Sequence, residues 1–329
     1  MPMDRVLVTG ATGFTGSHLA TRLVGEGHDV RLLVRPTSSA PRLELSGAHI
    51  VTGDLADEYS VWKAVNGVDV VYHVAALFRK AGLPDSDYRA TNVDGTINLL
   101  DAAHRAGVRR FVHCSTVGVL GHVSDPPANE DRPYNPGDIY QTTKCEGEKA
   151  ALRYQAEKGL PVTVIRPGGI YGPGDMRWLK LFKSIARRRF AMLGSGRTLI
   201  HFVYIDDLVD AFRLAADSPD SVGRVYIIAG ERHVSLNELV STIAEAAGVP
   251  SPWMRIPFGP VRMVSALCED VCRVLHIEPP IYRRRVDMFV NDRSFDITRA
   301  RTELGYSPKI DIREGVRLTA EWYKEQGLL

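Results

Sequence analysis

Residues 6–24 run VLVTGATGFTGSHLATRLV, and the order of residue types in them commits the N-terminal half to one architecture. VLVT is short, apolar and β-branched, as a buried strand requires. Gly10, Gly13 and Gly16 follow it directly and open a helix. Glycine permits the tight turn and lets the backbone approach a pyrophosphate, whose charge a helix N-terminus favours. The pattern predicts a dinucleotide-binding loop; the alternative is a glycine-rich turn that serves packing alone.

The same rhythm continues outward. RVLVTG, DVRLLVR, HIVTGD, DVVYHVAA, RRFVHCST and PVTVIRP read as strands, with helical segments at about 14–26, 57–66, 87–106 and 138–159 between them. Strands alternating with helices imply βαβ units, and near-continuous apolar strands imply a parallel sheet buried on both faces. The fold class expected is α/β: a Rossmann-type, doubly wound parallel sheet with a smaller, mixed α/β substrate-binding domain. The Gly/Pro cluster RPGGIYGPGD places the boundary near 166, giving a dinucleotide-binding domain at 1–166 and a mainly substrate-binding domain at 167–329. RVYIIAG reads as one more buried strand, so segments around 200–230 are expected to return to the first sheet.

The 329 residues, 44% hydrophobic and 24% charged, are those of an ordinary globular protein. The net charge of +2 demands neither nucleic acid nor an anionic membrane. The runs RRR at 187–189 and 283–285 read as solvated faces, with one Arg reaching a ligand anion as the alternative. The opening MPMDRVLVTG is strand-like rather than signal-like, and no run approaches the roughly 18 apolar residues of a membrane span. Cys114, Cys145, Cys268 and Cys272 lack zinc-like spacing, so no metal is expected. Cys268 and Cys272, four apart in an apolar helical pattern, read as buried free thiols, and a reducing cytoplasm fits best.

An acid at the end of the second strand suits the free ribose of NAD, whereas an Arg suits the 2′-phosphate of NADP. Here Arg35 ends the strand and Arg42 follows, with no acid before Glu44, which favours NADP over NAD. Asp54 and Leu55, after the third strand, fall where an adenine could lie, although Asp54 could equally cap the next helix. Ala75 and Ala76, in HVAA, are small enough for a cofactor to pass the backbone closely; His73 reads as structural.

Exchange of a hydride at a carbon–oxygen bond needs a proton donor or acceptor at the oxygen. Tyr-x-x-x-Lys occurs three times, as Tyr59/Lys63, Tyr140/Lys144 and Tyr154/Lys158. Only Tyr140 is preceded by hydroxyls at a strand end, Ser115 and Thr116 in FVHCSTVGVLG, at the edge where such sheets bind ligands. Tyr140 with Lys144 is therefore the functional pair, and the other two read as amphipathic helix surface.

With TGATGFTG, GDL, HVAA, NVDGTINLLDAA, CST, YQTTK, RPGGIYGPGD, FVYIDDLVDA and ELGYSP spread in order along it, the chain resembles an extended short-chain dehydrogenase/reductase. That branch holds nucleotide-sugar epimerases and 3β-hydroxysteroid dehydrogenases. The resemblance implies that Gly10, Thr12, Gly13, Phe14 and Gly16 hold the pyrophosphate, that Asp54 and Leu55 meet the adenine, and that Ala75 and Ala76 line the dinucleotide. Pro167 and Ile170 would flank the nicotinamide, and Arg35 and Arg42 have the spacing used for a 2′-phosphate. Thr116 would be the catalytic hydroxyl and Tyr140 the general acid/base. Lys144 would bind the nicotinamide ribose and lower the Tyr140 pKa, and Asn92 would support the central helix or a water relay. Helices 87–106 and 138–159 would form a homodimer.

Val117 and Gly118 stand where related dehydratases carry Asp-Glu, which argues against dehydration. Ile200-His201 and PPIYRRRVDMFVNDRSFD depart from the nucleotide-sugar pattern towards the hydroxysteroid and 2-alkyl-3-oxoacid branch. The expected activity is thus hydride transfer between NADP or NAD and a lipophilic secondary alcohol or ketone. The alternative is a nucleotide-sugar 4-epimerase with tightly bound NAD, using Arg197 or Arg283 to Arg285 for the diphosphate. Val261, Val264, Leu267, Val271 and Leu275 give residues 258–280 an apolar face: a packed helix, or else a lid or a membrane-surface contact.

Overall fold

The structure, a computed structural model, describes residues 3–38, 47–79, 82–274 and 289–329. Strands β1 (Arg5–Thr9), β2 (Asp29–Val34), β3 (His49–Thr52), β4 (Val70–His73), β5 (Arg110–Cys114) and β6 (Val162–Pro167) lie in one seven-stranded sheet with Val225–Ile228. The order is Val225–Ile228, β6, β5, β4, β1, β2, β3, and every pairing is parallel. The expected α/β parallel-sheet fold is thus the one observed. The winding reverses between β1 and β4, so a crevice opens at their carboxyl ends.

Helices α1 (Phe14–Gly25), α2 (Glu58–Val65), α3 (Asp85–Arg89), α4 (Gly95–Ala106) and α5 (Ile139–Lys158) are the crossovers, close to the predicted spans. A π-helical turn, Ala90–Asp94, joins α3 to α4 and carries Asn92. Alternate strand residues point to opposite faces, and the chain buries both. Val6, Val8, Leu32, Val70 and Tyr72 pack with α1 and with the helix Ile205–Asp217 on one side. Leu7, Leu33, Val71 and Phe111 pack with α2, α4 and α5 on the other. Each such side chain is worth about 1.5–3 kcal/mol, enough for burial rather than propensity to hold short α2 in place. The exception is β3, exposed along most of its length because it forms the sheet edge.

Past Pro167 the strands are short. Gly169–Tyr171 pairs with Phe202–Tyr204, and Leu199–Ile200 with Val234–Ser235. Tyr171, Phe182, Ile243, Val316 and Tyr323 continue the first apolar cluster into this region. Among the described residues all four cysteines are free; Cys114, Cys145 and Cys272 are buried, but Cys268 is only half-buried. No helix of the described residues is long and apolar enough to cross a membrane. Arg42, Arg283 to Arg285 and Leu275 lie outside the described residues.

Candidate active site

The glycine loop sits at the sheet crevice. Gly10 has φ +77°, and a Cβ there would stand 2.7 Å from the backbone N and Cα of Ala75, so the loop presses directly on the chain leaving β4. Gly16 is as tightly constrained: its Cβ would fall 2.3 Å from the Gly10 carbonyl oxygen. The N-terminus of α1 has no side-chain cap and no acid in its first turn. Thr12 and Gly13 beside it are exposed. Backbone N–H groups with no competing carboxylate suit a pyrophosphate, and the residues present fit a dinucleotide.

Arg35 is exposed at the end of β2. Asp54 is also exposed and does not cap α2; that duty belongs to Asp57, which accepts from the N–H groups of Tyr59 and Ser60. Among the described residues the Asp54 carboxylate accepts a local bond from Ala56 N–H, 2.9 Å, on Oδ1, and no bond to its other oxygen is seen. Leu55 is buried and its carbonyl accepts from Asn98.

A chain of hydrogen bonds runs from this loop to α5. The Thr9 hydroxyl accepts from Ala75 N–H at 3.2 Å and lies 2.8 Å from His73 Nδ1. His73 Nε2 is 2.9 Å from Thr96 Oγ1, whose own proton goes to the Asn92 carbonyl. The Thr96 proton being used, Nε2 must be the donor and Nδ1 the acceptor, so the ring is neutral. Burial agrees, holding His73 down to about 3. The Asn92 side chain grips Leu77 through both its N–H (2.7 Å) and its carbonyl (3.2 Å), and donates to Thr143 on α5 at 3.0 Å.

Tyr140 opens α5, whose cap is Asp138. Its ring is buried, edge-on to Phe78 with 5.0 Å between centres, and the Arg79 guanidinium carbon stands 5.4 Å from its centre. Lys144, one turn on, is also buried and donates to the Cys114 carbonyl at 2.6 Å. Both side chains are thus out of water, and burial governs their protonation. Burial pushes the Tyr140 phenol up, and the cations that oppose it are chiefly Arg79 and Arg177, not Lys144. Burial also pulls the Lys144 ammonium down, since both groups lie in the same dry interior.

The two hydroxyls after β5 point to different tasks. Ser115 is buried and donates to Glu148, which also accepts from Tyr134 at 2.8 Å and from Arg166 at 2.6 Å. Thr116 is half-buried and accepts from Gly118 N–H at 3.0 Å, which leaves its O–H free to donate. Pro167 is buried at the end of β6, and Ile170 gives its carbonyl to Arg177 and Trp178. The Arg177 guanidinium also lies over Phe14, 5.5 Å from its ring centre, so residues from beyond Pro167 close over the start of α1.

Of the two other Tyr-x-x-x-Lys pairs, Tyr59 is 75% exposed, as expected of helix surface. Tyr154 is not: it is buried in the second cluster, with the Lys158 ammonium 4.1 Å from its ring centre. Sequence reasoning missed Phe78, Arg79 and Arg177, whose side chains gather around Tyr140 and Phe14. Only Arg177, two residues after Asp175 in the Gly/Pro loop, carried a local signal. Among the described residues no group of acids, histidines and cysteines could hold a metal ion.

Comparison with known proteins agrees with this geometry. A model of the NAD dependent epimerase/dehydratase family matches residues 6–229. The 2-alkyl-3-oxoalkanoate reductase of Stenotrophomonas maltophilia is 32% identical over 95% of this chain and 97% of its own. The 3 beta-hydroxysteroid dehydrogenase/Delta 5-->4-isomerase of Mycobacterium tuberculosis is 33% identical over 98% and 90%. The UDP-glucose 4-epimerase of Mycolicibacterium smegmatis is 31% identical over 98% and 99%. The crystal structure of gox2253 superposes with a TM-score of 0.85 at 33% identity, over 99% of both chains.

Proposed function

The chain belongs to the NAD dependent epimerase/dehydratase family, and from that premise we propose that it moves a hydride between a nicotinamide and the carbon of a lipophilic secondary alcohol or ketone. The cofactor supplies or accepts the hydride. Tyr140 gives the proton to the substrate oxygen in reduction and takes it in oxidation; Thr116 donates a hydrogen bond to that oxygen; Lys144 fixes the end of β5 against α5 and reaches the nicotinamide ribose. The observation that carries this is the buried Tyr140 ring at the start of α5, with the Thr116 hydroxyl following β5 at the carboxyl edge of the sheet. Similarity to a 2-alkyl-3-oxoalkanoate reductase and a hydroxysteroid dehydrogenase supports a lipophilic substrate.

Arg35 favours NADP in this reading, with Arg42 as its second partner. The substrate is held mainly by residues beyond Pro167, and the helix Phe258–Val274 serves as its lid: Met263 and Val264 are 72% and 56% exposed, which supports an apolar ligand or membrane-surface contact at that face. The protein works in the cytoplasm as a homodimer formed by α4 and α5. Similarity to a UDP-glucose 4-epimerase supports a second reading, epimerisation of a nucleotide sugar by the same residues with retained NAD.

Mass spectrometry of nucleotide released from denatured, desalted protein separates the two. Stoichiometric NAD supports the epimerase and removes the role of Arg35. An empty site that takes up NADPH, with ketone-dependent loss of nicotinamide absorbance, supports the reductase.

A further inference from the structure

One cation bridges the mouth of the crevice. The Arg177 guanidinium carbon lies 5.5 Å from the ring centre of Phe14 and 5.9 Å from that of Phe78. Phe14 opens α1 on the β1 side, and Phe78 follows β4, so Arg177 spans both lips of the crevice where the winding reverses. Phe78 in turn meets the Tyr140 ring edge-on. A guanidinium set over two aromatic rings is attracted by both.

Its base is fixed. The Asp175 side chain is only 1% exposed and accepts from Arg177 three times: from the backbone N–H at 2.8 Å, from Nε at 2.9 Å and from Nη2 at 2.8 Å. Nη2 also donates to the Ile170 carbonyl at 3.0 Å. His18 Nε2 lies 3.0 Å from the Pro173 carbonyl, which fastens the same loop to α1, and the Tyr323 hydroxyl donates to the Asp175 carbonyl. A guanidinium has five N–H donors. Nε spends its one and Nη2 spends its two, while among the described residues Nη1 makes no hydrogen bond. Two donors are left over on a side chain that is otherwise immobilised.

The glycine loop beneath lacks a cation of its own, since residues 10–17 read GATGFTGS. The helix N-terminus contributes only about half a unit of positive charge, against the doubly negative pyrophosphate of a dinucleotide. We propose that Arg177 is a cofactor-binding residue: its Nη1 donors meet the pyrophosphate received by the first turn of α1, and Asp175 orients the fork that leaves them free. Arginine suits a phosphate through its charge and its planar fork. This rests on the dinucleotide reading of the crevice and is indifferent to the substrate and to a 2′-phosphate. It gives the region beyond Pro167 a part in holding the cofactor.

The test is binding of NADPH and NADH, followed by fluorescence, and of ADP-ribose, followed by calorimetry, to the full chain. Wild type, Arg177→Gln and Arg177→Lys are compared, with adenosine as a competitor that has no pyrophosphate. Arg177→Gln should weaken all three ligands about ten- to a hundredfold and leave adenosine unchanged. Arg177→Lys keeps a charge for Asp175 on a single nitrogen, so it should melt near wild type and still lose most of that affinity. Wild-type affinity in Arg177→Lys overturns the proposal. So does an equal loss for adenosine, which marks a distorted site rather than a lost phosphate contact. Where nucleotide survives purification, its release into excess ADP-ribose should quicken by the same factor in both variants, and unchanged release overturns the proposal too. Ketone-dependent oxidation of NADPH by wild type is read separately. Its absence sinks the hydride-transfer reading, while the affinity ratio still decides the role of Arg177.

Discussion

The Lys144 ammonium donates to the main-chain carbonyl of Cys114 at 2.6 Å, tying the last residue of β5 to the second turn of α5. The lysine therefore sets the distance between the strand that presents Thr116 and the helix that presents Tyr140. It acts here as a tether more than as an electrostatic trigger, because burial dominates both side chains.

For Tyr140 this predicts a particular pH profile. With the phenol pushed up, ketone reduction should stay level through neutral pH and fall only above tyrosine's ordinary value of about 10. Tyr140→Phe should lower turnover by about 10²–10⁴ while NADPH still binds. Initial rates from pH 6 to about 10.5, with fluorescence titration of NADPH, check both. A fall centred near neutrality would mean that Lys144 stabilises the phenolate after all.

Glu148 and Arg166 form a buried ion pair whose acceptor sites also hold Ser115 and Tyr134. Removing one charge strands the other in the interior, at a cost of about 3–5 kcal/mol. Glu148→Gln should lower the urea midpoint accordingly, whereas Glu146→Gln, on the exposed side of α5 against Arg89, should cost no more than about 1 kcal/mol. Equal midpoints for the two variants would refute this account of the network.

Three histidines are buried in the neutral state: His73, held down to about 3; His201, to about 4; and His113, well below its ordinary range. In the unfolded chain each takes up a proton near pH 6.5, so the unfolded state binds more protons as the pH falls. Stability should then drop below about pH 6.5 by about 1.4 kcal/mol per unit for each histidine, with the His201 share levelling off near 4. His73→Gln should reduce that slope by one proton in urea titrations between pH 7 and 5, and an unchanged slope would contradict the assignment.

The glycines of the loop should respond differently. A methyl at Gly16 meets the Gly10 backbone at 2.3 Å, whereas one at Gly13 approaches only the Gly10 oxygen, at 3.3 Å. Gly16→Ala should lower the melting temperature by several degrees, in line with a cost of about 1–3 kcal/mol. Gly13→Ala should melt near wild type yet bind dinucleotide more weakly. The reverse order, read by scanning fluorimetry with and without NADPH, would sink the idea.

Much of the sheet was legible because each strand carries its own signal: VLVT, VVYH and VTVIRP are apolar whatever surrounds them. The Tyr140 assignment was legible because its supporting hydroxyls lie at the next strand end, a short-range pattern. Tyr154 was misjudged because α5 buries polar residues on several sides, Thr143, Lys144 and Glu148 among them, and apolar periodicity cannot follow a helix solvated by its own hydrogen-bond partners. Arg79 and Arg177 could not be seen together: they are far apart in sequence, and only the fold brings both guanidiniums to the ring of Phe78.

The π-helical turn at Ala90–Asp94 is a helix holding one residue more than its ends require. Each helical residue turns the chain by about 100°, so losing one from this turn would regularise the backbone bonding and swing Asn92 away from Leu77 and Thr143. A single-codon deletion here would thus be easy on the helix and hard on the site, a mutation whose harm lies in mending an irregularity.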